Sequence, residues 1–367
     1  MNDVDITDVA FMSFDELGLA RRSRIHMKMA LNIGIRRVYL IGYDNKITKK
    51  FLNQNNQVTF KKIRPFHVFA VPFSFLLFPI KIVYMITQLV GVMKTIRTLD
   101  ILYLYLNGSF ISVIYGYIIG RLKGAKFFVD ISLKPLSTSI EGSNRILKLI
   151  ENLFLKFSDT IIVSTLAKFL IMKLRGIPTK IIEDSPVENH QLISYPTILQ
   201  KKHCIALFIN DLSDSEIADY GLFVNRINSI MFIHVIGERK HFDQFKNVKN
   251  TVFHCVESLN MDFLCECDIV LFEKPCVNVI DVHPLVWDVL SFHVPMIVNR
   301  EGCITEVVFN GKNGIIFDTK EMQFDYVFKL SINASGIFEM KKQMNEYCNY
   351  QIEKAKTQMK SIMLCHK

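Results

Sequence analysis

Two carboxylates stand seven residues apart in the stretch DVHPLVWD, Asp281 to Asp288. Pro284 has no N–H and a fixed φ, which suits the first turn of a helix, so Asp281 falls just outside that helix and Asp288 one turn in. The free amides of a helix N-terminus can cradle a diphosphate. An acid on the adjoining turn can accept both hydroxyls of a ribose. A second stretch, GCITEVVFNGKNGIIFD from Gly302 to Asp318, follows the strand-like PMIVN. Gly302 lets backbone amides approach a ligand closely, Glu306 lies on a short helix TEVV, and Asn313-Gly314 suits a tight turn needing positive φ. By themselves these pieces are a helix start and a strand–turn–helix–turn.

Further candidates lie at strand ends. Asp130 closes the strand-like FFVD, and Lys274 follows DIVLFE. Arg239 and Lys240 follow FIHVIG. Near the N-terminus the loop DELGLA contains Asp15, Glu16 and Gly18, and the helix pattern RRSRIHMKMAL after it carries Arg24, which can reach a phosphate. Asp130 and Glu16 are candidate general bases, with Asp15 and Glu141 as others. His283 and His293 read as structural or exposed, and Trp287 as packing on the inner helix face. The single glycine of the first loop is not GxGxxG, and no GxxxxGK[ST], HExxH or GxSxG occurs, which excludes the common dinucleotide, P-loop, zincin and hydrolase signatures.

The elements that must position these residues alternate. Val9–Phe14, Val38–Tyr43, Val58–Phe60, Ile101–Leu106, Phe127–Asp130, Thr160–Val163 and Lys180–Ile182 read as strands, with a helix from about Arg21 to Ile33. A polar stretch from Asp184 to His203 reads as a linker. A second series follows at Cys204–Ile209, Phe232–Gly237, Thr251–Val256, Asp268–Glu273 and Pro295–Asn299. Strand–helix alternation argues for α/β with parallel sheets. Two Rossmann-like domains and a C-terminal helix are expected, over 1–186, 187–337 and 338–367. Two facing α/β domains place a ligand between the carboxyl ends of their strands.

Charge is uneven. Residues 1–200 hold 26 Lys and Arg against 14 Asp and Glu, whereas residues 201–367 hold 18 against 21. The basic half is also the more apolar, which favours an anionic membrane surface over nucleic acid, for which the aromatic–basic interleaving is missing. Pro65–Met93 is too broken by Lys81 and three prolines for a clean span, and reads as packing on the sheet and dipping into a bilayer interface. Ile101–Gly120 has the length of a span, but Asn107-Gly108-Ser109 divides it into a strand and a helix. The N-terminal MNDVDITD is acidic and reads as no signal peptide. All eight cysteines follow residue 200, with Cys265-Glu-Cys267 as the one close pair, which reads as packing rather than metal binding. Free thiols fit a reducing, cytosol-facing compartment.

Taken in order, these motifs resemble the chitobiosyldiphosphodolichol β-mannosyltransferases, glycosyltransferases of the GT-B fold. Asp-x-x-Pro with a second Asp seven residues on carries the likeness. So do DELGLARRSRIHMKMAL, GRLKGAKFFVD, SDTIIVSTLAKFLIMKLRGIPTKIIEDSP, LSDSEIADYGLFV and HVIGERKHF. The resemblance implies inverting transfer of mannose from GDP-mannose to a chitobiose on dolichyl diphosphate, at the cytosolic face of the endoplasmic reticulum membrane. It implies no metal or other cofactor, and other glycosyltransferases of that membrane as partners. Asp288 would bind the ribose, and Asp281, Gly302 and Glu306 would line the donor pocket. Two departures stand out. Ile131, Ser132 and Leu133 replace the family's aromatic, histidine and asparagine, and Leu285 replaces a lysine that would neutralise the diphosphate. Lys274, Arg239 or Lys240 would then supply that charge.

Overall fold

The computed structural model describes residues 8–13, 21–44, 46–63, 78–96, 98–106, 111–131, 152–186, 203–210, 212–255, 261–279, 281–332 and 335–364. The chain divides into two compact units, Met1–Asp184 with Ala355–Lys367, and Ser185–Lys354.

The first unit is built on a parallel sheet of β1 (Asp8–Ser13), β2 (Arg37–Tyr43), β3 (Val58–Ile63), β4 (Ile101–Tyr105), β5 (Lys126–Asp130), β6 (Thr160–Val163) and β7 (Thr179–Ile181), in the spatial order β3-β2-β1-β4-β5-β6-β7. β1 and β4 are buried at every position, as expected for the middle of a sheet covered on both faces. Their near-continuous apolar runs follow from that burial. Ile101–Gly120 resolves into β4 and the helix Ile111–Lys123, as its Asn-Gly-Ser break predicts. Gly116 of that helix faces Phe127, whose ring would lie 2.2 Å from any added Cβ, so only glycine admits this close packing of helix on strand.

In the second unit β8 (Cys204–Phe208), β9 (Phe232–Gly237), β10 (Thr251–Cys255), β11 (Ile269–Phe272), β14 (Met296–Asn299) and β15 (Gly314–Phe317) form a parallel sheet, β10-β9-β8-β11-β14-β15. A hairpin of β12 (Cys276–Asn278) and β13 (Asp281–Val282) stands apart from it. In both sheets the order reverses beside the first strand, between β1 and β4 and between β8 and β11, which is the doubly wound Rossmann pattern. The core of this unit joins Ile205, Leu207, Ile233, Val235, Ile269 and Leu271 of the strands to Ile217, Tyr220 and Val224 of the helix Asp214–Ile227.

The C-terminal segment differs from expectation. A single helix runs from Ser335 to Leu364, starting before residue 338, and its residues from Ala355 onward group with the first unit. Of Pro65–Met93, the described part lies in the helix Phe78–Thr95, whose Val83 and Val90 are exposed, and residues 65–77 lie outside the described residues. Among the described residues no helix is long and apolar enough to cross a membrane.

Candidate functional site

Ligands of doubly wound sheets bind outside the carboxyl ends of the strands, where the strand order reverses. In the second unit that place lies between the segments following β8 and β11. After β8 comes Ser213, which caps the helix Asp214–Ile227 in a reciprocal capping box. The Glu216 carboxylate accepts from the Ser213 N–H at 2.7 Å, and the Glu216 N–H donates to the Ser213 hydroxyl at 3.4 Å. The S-x-x-E spacing was legible in LSDSEI. The Ser213 hydroxyl also donates to the Glu216 carboxylate at 2.7 Å, and this bond first, then the Ser213 N–H, with help from Lys274, holds Glu216 below the usual carboxylate range.

After β11 come Glu273 and Lys274. Glu273 is buried and accepts from the Tyr220 hydroxyl. Lys274 is partly exposed and ion-paired with Glu216 at 3.8 Å. Burial raises the pKa of the nearby Glu301, and the Lys274 charge opposes that rise. Lys274 therefore stands as a cation among carboxylates at the sheet's switch point, which sequence order alone does not show.

DVHPLVWD is seated beside the same edge. The His283 N–H donates to Pro275 O at 2.7 Å, and the His283 ring packs edge-on to Phe272 of β11, with centroids 5.5 Å apart. His283 is the N-cap of the helix Pro284–Ser291, accepting from the Leu285 N–H at 3.2 Å, with Pro284 in the first turn as expected. Trp287 is buried and Asp288 half-buried. Asp281 lies in β13, outside the helix. His293 follows the helix with φ of 57°, a left-handed residue closing its end.

The segment after β14 completes this edge. Gly302 has φ of 48°, in the left-handed region that favours glycine, and is exposed. The Cys276 thiol donates to Glu301 O at 3.2 Å and ties the turn to the β12–β13 hairpin. Where a helix TEVV was expected, a single 3₁₀ turn spans Ile304–Glu306, and Glu306 is half-buried. Asn313-Gly314 does not take positive φ, which falls at Gly311 instead. Asn313 is fully buried, its amide donating to Val307 O at 2.8 Å and its carbonyl accepting from the Phe309 N–H at 2.7 Å. Gly314 is required by close approach, since an added Cβ would lie 2.3 Å from Met296 O of the neighbouring strand. Arg239 is exposed at the carboxyl end of β9, beside Lys240, which pairs with Glu238 at 3.0 Å.

The first unit places Asp130 differently from a free base. Its Oδ2 accepts from Arg22 Nε at 2.9 Å and from the Tyr103 hydroxyl at 2.8 Å, and the side chain is 1 % exposed. Arg22 also donates to Ile182 O at 2.7 Å and to the Asp184 carboxylate at 2.5 Å. Burial alone would lower the guanidinium's pKa; the Asp130 and Asp184 charges outweigh it and raise it above the ordinary value. His26, one helical turn after Arg22, packs on Tyr103 and Tyr105 and is held well below its ordinary pKa by burial and by the Arg22 charge. Arg22 and His26 were missed by sequence reasoning, which favoured Arg24; their four-residue spacing on one helix face was the available signal. Arg24 is half-buried on the same helix. Glu16 and Gly18, with Asp15 and Glu141, lie outside the described residues.

No protein-family model and no curated protein matches the sequence. Solved structures do. HepE of Anabaena, crystallised with UDP, aligns at a TM-score of 0.66 over 97% of this chain and 99% of its own, with 12% identity. A glycosyltransferase of Rickettsia africae gives 0.66 over 98% and 100%, with 11% identity. Sucrose-phosphate synthase of Thermosynechococcus elongatus gives 0.66 over 97% and 98%, with 9% identity. The two doubly wound sheets and these alignments along nearly the whole chain establish the fold as that of the GT-B glycosyltransferases.

Proposed function

We propose that this protein is a glycosyltransferase that takes a nucleotide-sugar donor on its second unit. The observation that carries the reading is the placement of Lys274, the Gly302 turn and the N-terminus of the Pro284–Ser291 helix along one carboxyl edge of the sheet. There the Gly302 backbone would receive the diphosphate, Lys274 and Arg239 would offset its charge, and Asp288 would hold the ribose, while the first-turn amides of the helix stay with His283. Asp281 and Glu306 would border that pocket. HepE of Anabaena, of like fold, was crystallised with UDP-glucose.

The finer reading, from the order of motifs, is transfer of mannose from GDP-mannose to a lipid-linked chitobiose with inversion, on the cytosolic face of the endoplasmic reticulum membrane and beside other transferases there. The basic first half, with Val83 and Val90 exposed on the Phe78–Thr95 helix, suits a lipid-borne acceptor and attachment to a membrane surface. No cofactor is needed, because amides and cations take the leaving diphosphate. Asp130, committed to Arg22, would position the first unit's strand ends, and Glu16 in the first loop would be the general base.

A second reading is a donor-binding protein without turnover. Leu285 stands where a lysine would face the diphosphate. Ile131, where an aromatic would stand, is buried and bonded through its N–H to Ile162 O. The deciding experiment incubates the purified chain with labelled GDP-mannose and chitobiosyl-diphosphate lipid, with UDP-glucose as competitor. Glycosylated lipid supports mannosyl transfer. Saturable GDP-mannose binding without product supports the silent binder, and preference for UDP-glucose points to a different donor and acceptor.

A further inference from the structure

A second cluster lies at the opposite, amino-terminal end of the second unit's sheet. Cys204 opens β8, His234 lies in β9 beside it, and Cys267 sits just before β11 on the other side. All three are buried, and their ligand-capable atoms lie within 4.8 Å of one another. The two sulfurs are 3.7 Å apart. Two thiolates on one tetrahedral zinc, each at about 2.3 Å, stand about 3.8 Å apart. A disulfide would need about 2.05 Å. Thiols in simple contact would show similar spacing, so the imidazole decides the case.

His234 Nδ1 lies 2.7 Å from His254 Nε2, a hydrogen bond that needs one proton between two rings. With His234 as donor, its Nε2 keeps a bare lone pair, which is the tautomer a metal-bound imidazole takes when its other nitrogen is anchored. Among the described residues that buried Nε2 has no hydrogen-bond partner. Phe263 stacks on both rings and fixes their planes.

The backbone around the sulfurs is held as firmly. Asp268 accepts from the Cys204 N–H at 3.0 Å and from Lys341 Nζ at 2.7 Å, and Lys341 also donates to Cys267 O at 3.3 Å. His203 stands 3.3 Å from the same carboxylate. Asp268 is thus a scaffold that brings two cysteines of distant sequence to one point, leaving the sulfurs and His234 Nε2 to converge.

We propose that Cys204, Cys267 and His234 form a binding site for a thiophilic metal ion of the zinc class. Three protein ligands leave one tetrahedral position for a small exogenous ligand. The site sits at the sheet end away from Lys274, so its role is to lock β8, β9 and β11 together rather than to act on the donor. Cys265-Glu-Cys267 is the close pair in the sequence; the fold instead brings Cys267 to residues 63 and 33 positions away and leaves Cys265 exposed.

The test uses the full chain, reduced and stripped with a chelator, then titrated with Co²⁺. The expected result is a thiolate-to-cobalt charge-transfer band saturating at about one ion per chain and displaced by Zn²⁺. Cys204→Ser and Cys267→Ser should each lower the band by about half, Cys265→Ser should keep it, and His234→Gln should weaken binding by roughly tenfold or more. Iodoacetamide reaches the buried Cys204 and Cys267 only when the fold opens, so on the unmutated chain in urea within the unfolding transition Zn²⁺ should shield both while Cys265 continues to react, a measurement that does not depend on the variants folding. Absence of the band, a band unchanged in both serine variants, no shielding by Zn²⁺, or a Cys204–Cys267 disulfide in protein purified under reducing conditions would each overturn the site.

Discussion

Arg22 Nε and Asp130 Oδ2 meet at 2.9 Å across 108 residues of sequence, with both side chains almost wholly removed from water. Breaking one half of such a pair leaves an uncompensated buried charge. Arg22→Met and Asp130→Asn should each cost about 3–5 kcal/mol, read from urea unfolding. The double variant should cost clearly less than the two single costs added. Additive costs would mean that the pair does not act as a unit.

Stability should fall on the acid side through His26. Its pKa in the fold is well below the ordinary 6.5, so the unfolded chain takes up a proton below 6.5 while the folded chain does not. The folded state loses stability as pH drops, by up to about 1.4 kcal/mol per unit for one proton. Unfolding midpoints measured at roughly pH 7.5 and 5.5 should show a steeper loss in the native chain than in His26→Gln. Parallel losses would show that His26 takes up its proton in the fold.

Donor binding should depend on Lys274. A charge-assisted contact to a diphosphate contributes about 1.5–3 kcal/mol when sheltered, and Lys274 is partly exposed, so its removal should weaken binding nearer the low end, by about tenfold. Calorimetry with GDP-mannose on Lys274→Ala, with the exposed Lys342→Ala as the surface control, checks this. Equal affinity in the native chain and Lys274→Ala would remove Lys274 from the site.

Asn313 should be a stability residue rather than a ligand residue. Its replacement by Ala leaves the Phe309 N–H without its partner, while Val307 O keeps the Tyr347 hydroxyl at 2.8 Å, so the cost is about 1–3 kcal/mol for one unmade bond. Thermal unfolding should show the loss, whereas donor affinity of the folded fraction should hold. A variant of native stability would show that water replaces the amide.

The alternation of apolar strands and amphipathic helices was written locally, so the sequence by itself determined two parallel-sheet units and the helix start at Pro284. Burial of β1, β4, β8 and β11 on both faces demands continuous apolar runs, and such runs are visible in any window of six residues. Glycine was readable as a need but not as a reason. Gly302 takes the left-handed turn, whereas Gly314 answers to Met296 O on a neighbouring strand, which no local pattern records. The same limit hid Arg22 behind Arg24 and hid the company of Cys267. Which side chains meet across a sheet depends on strand order, and strand order is settled by how the whole chain closes its core. Only the tertiary structure therefore decided that Asp130 is locked to Arg22, that Lys274 stands at the switch point beside Glu216, and that Cys204, His234 and Cys267 converge.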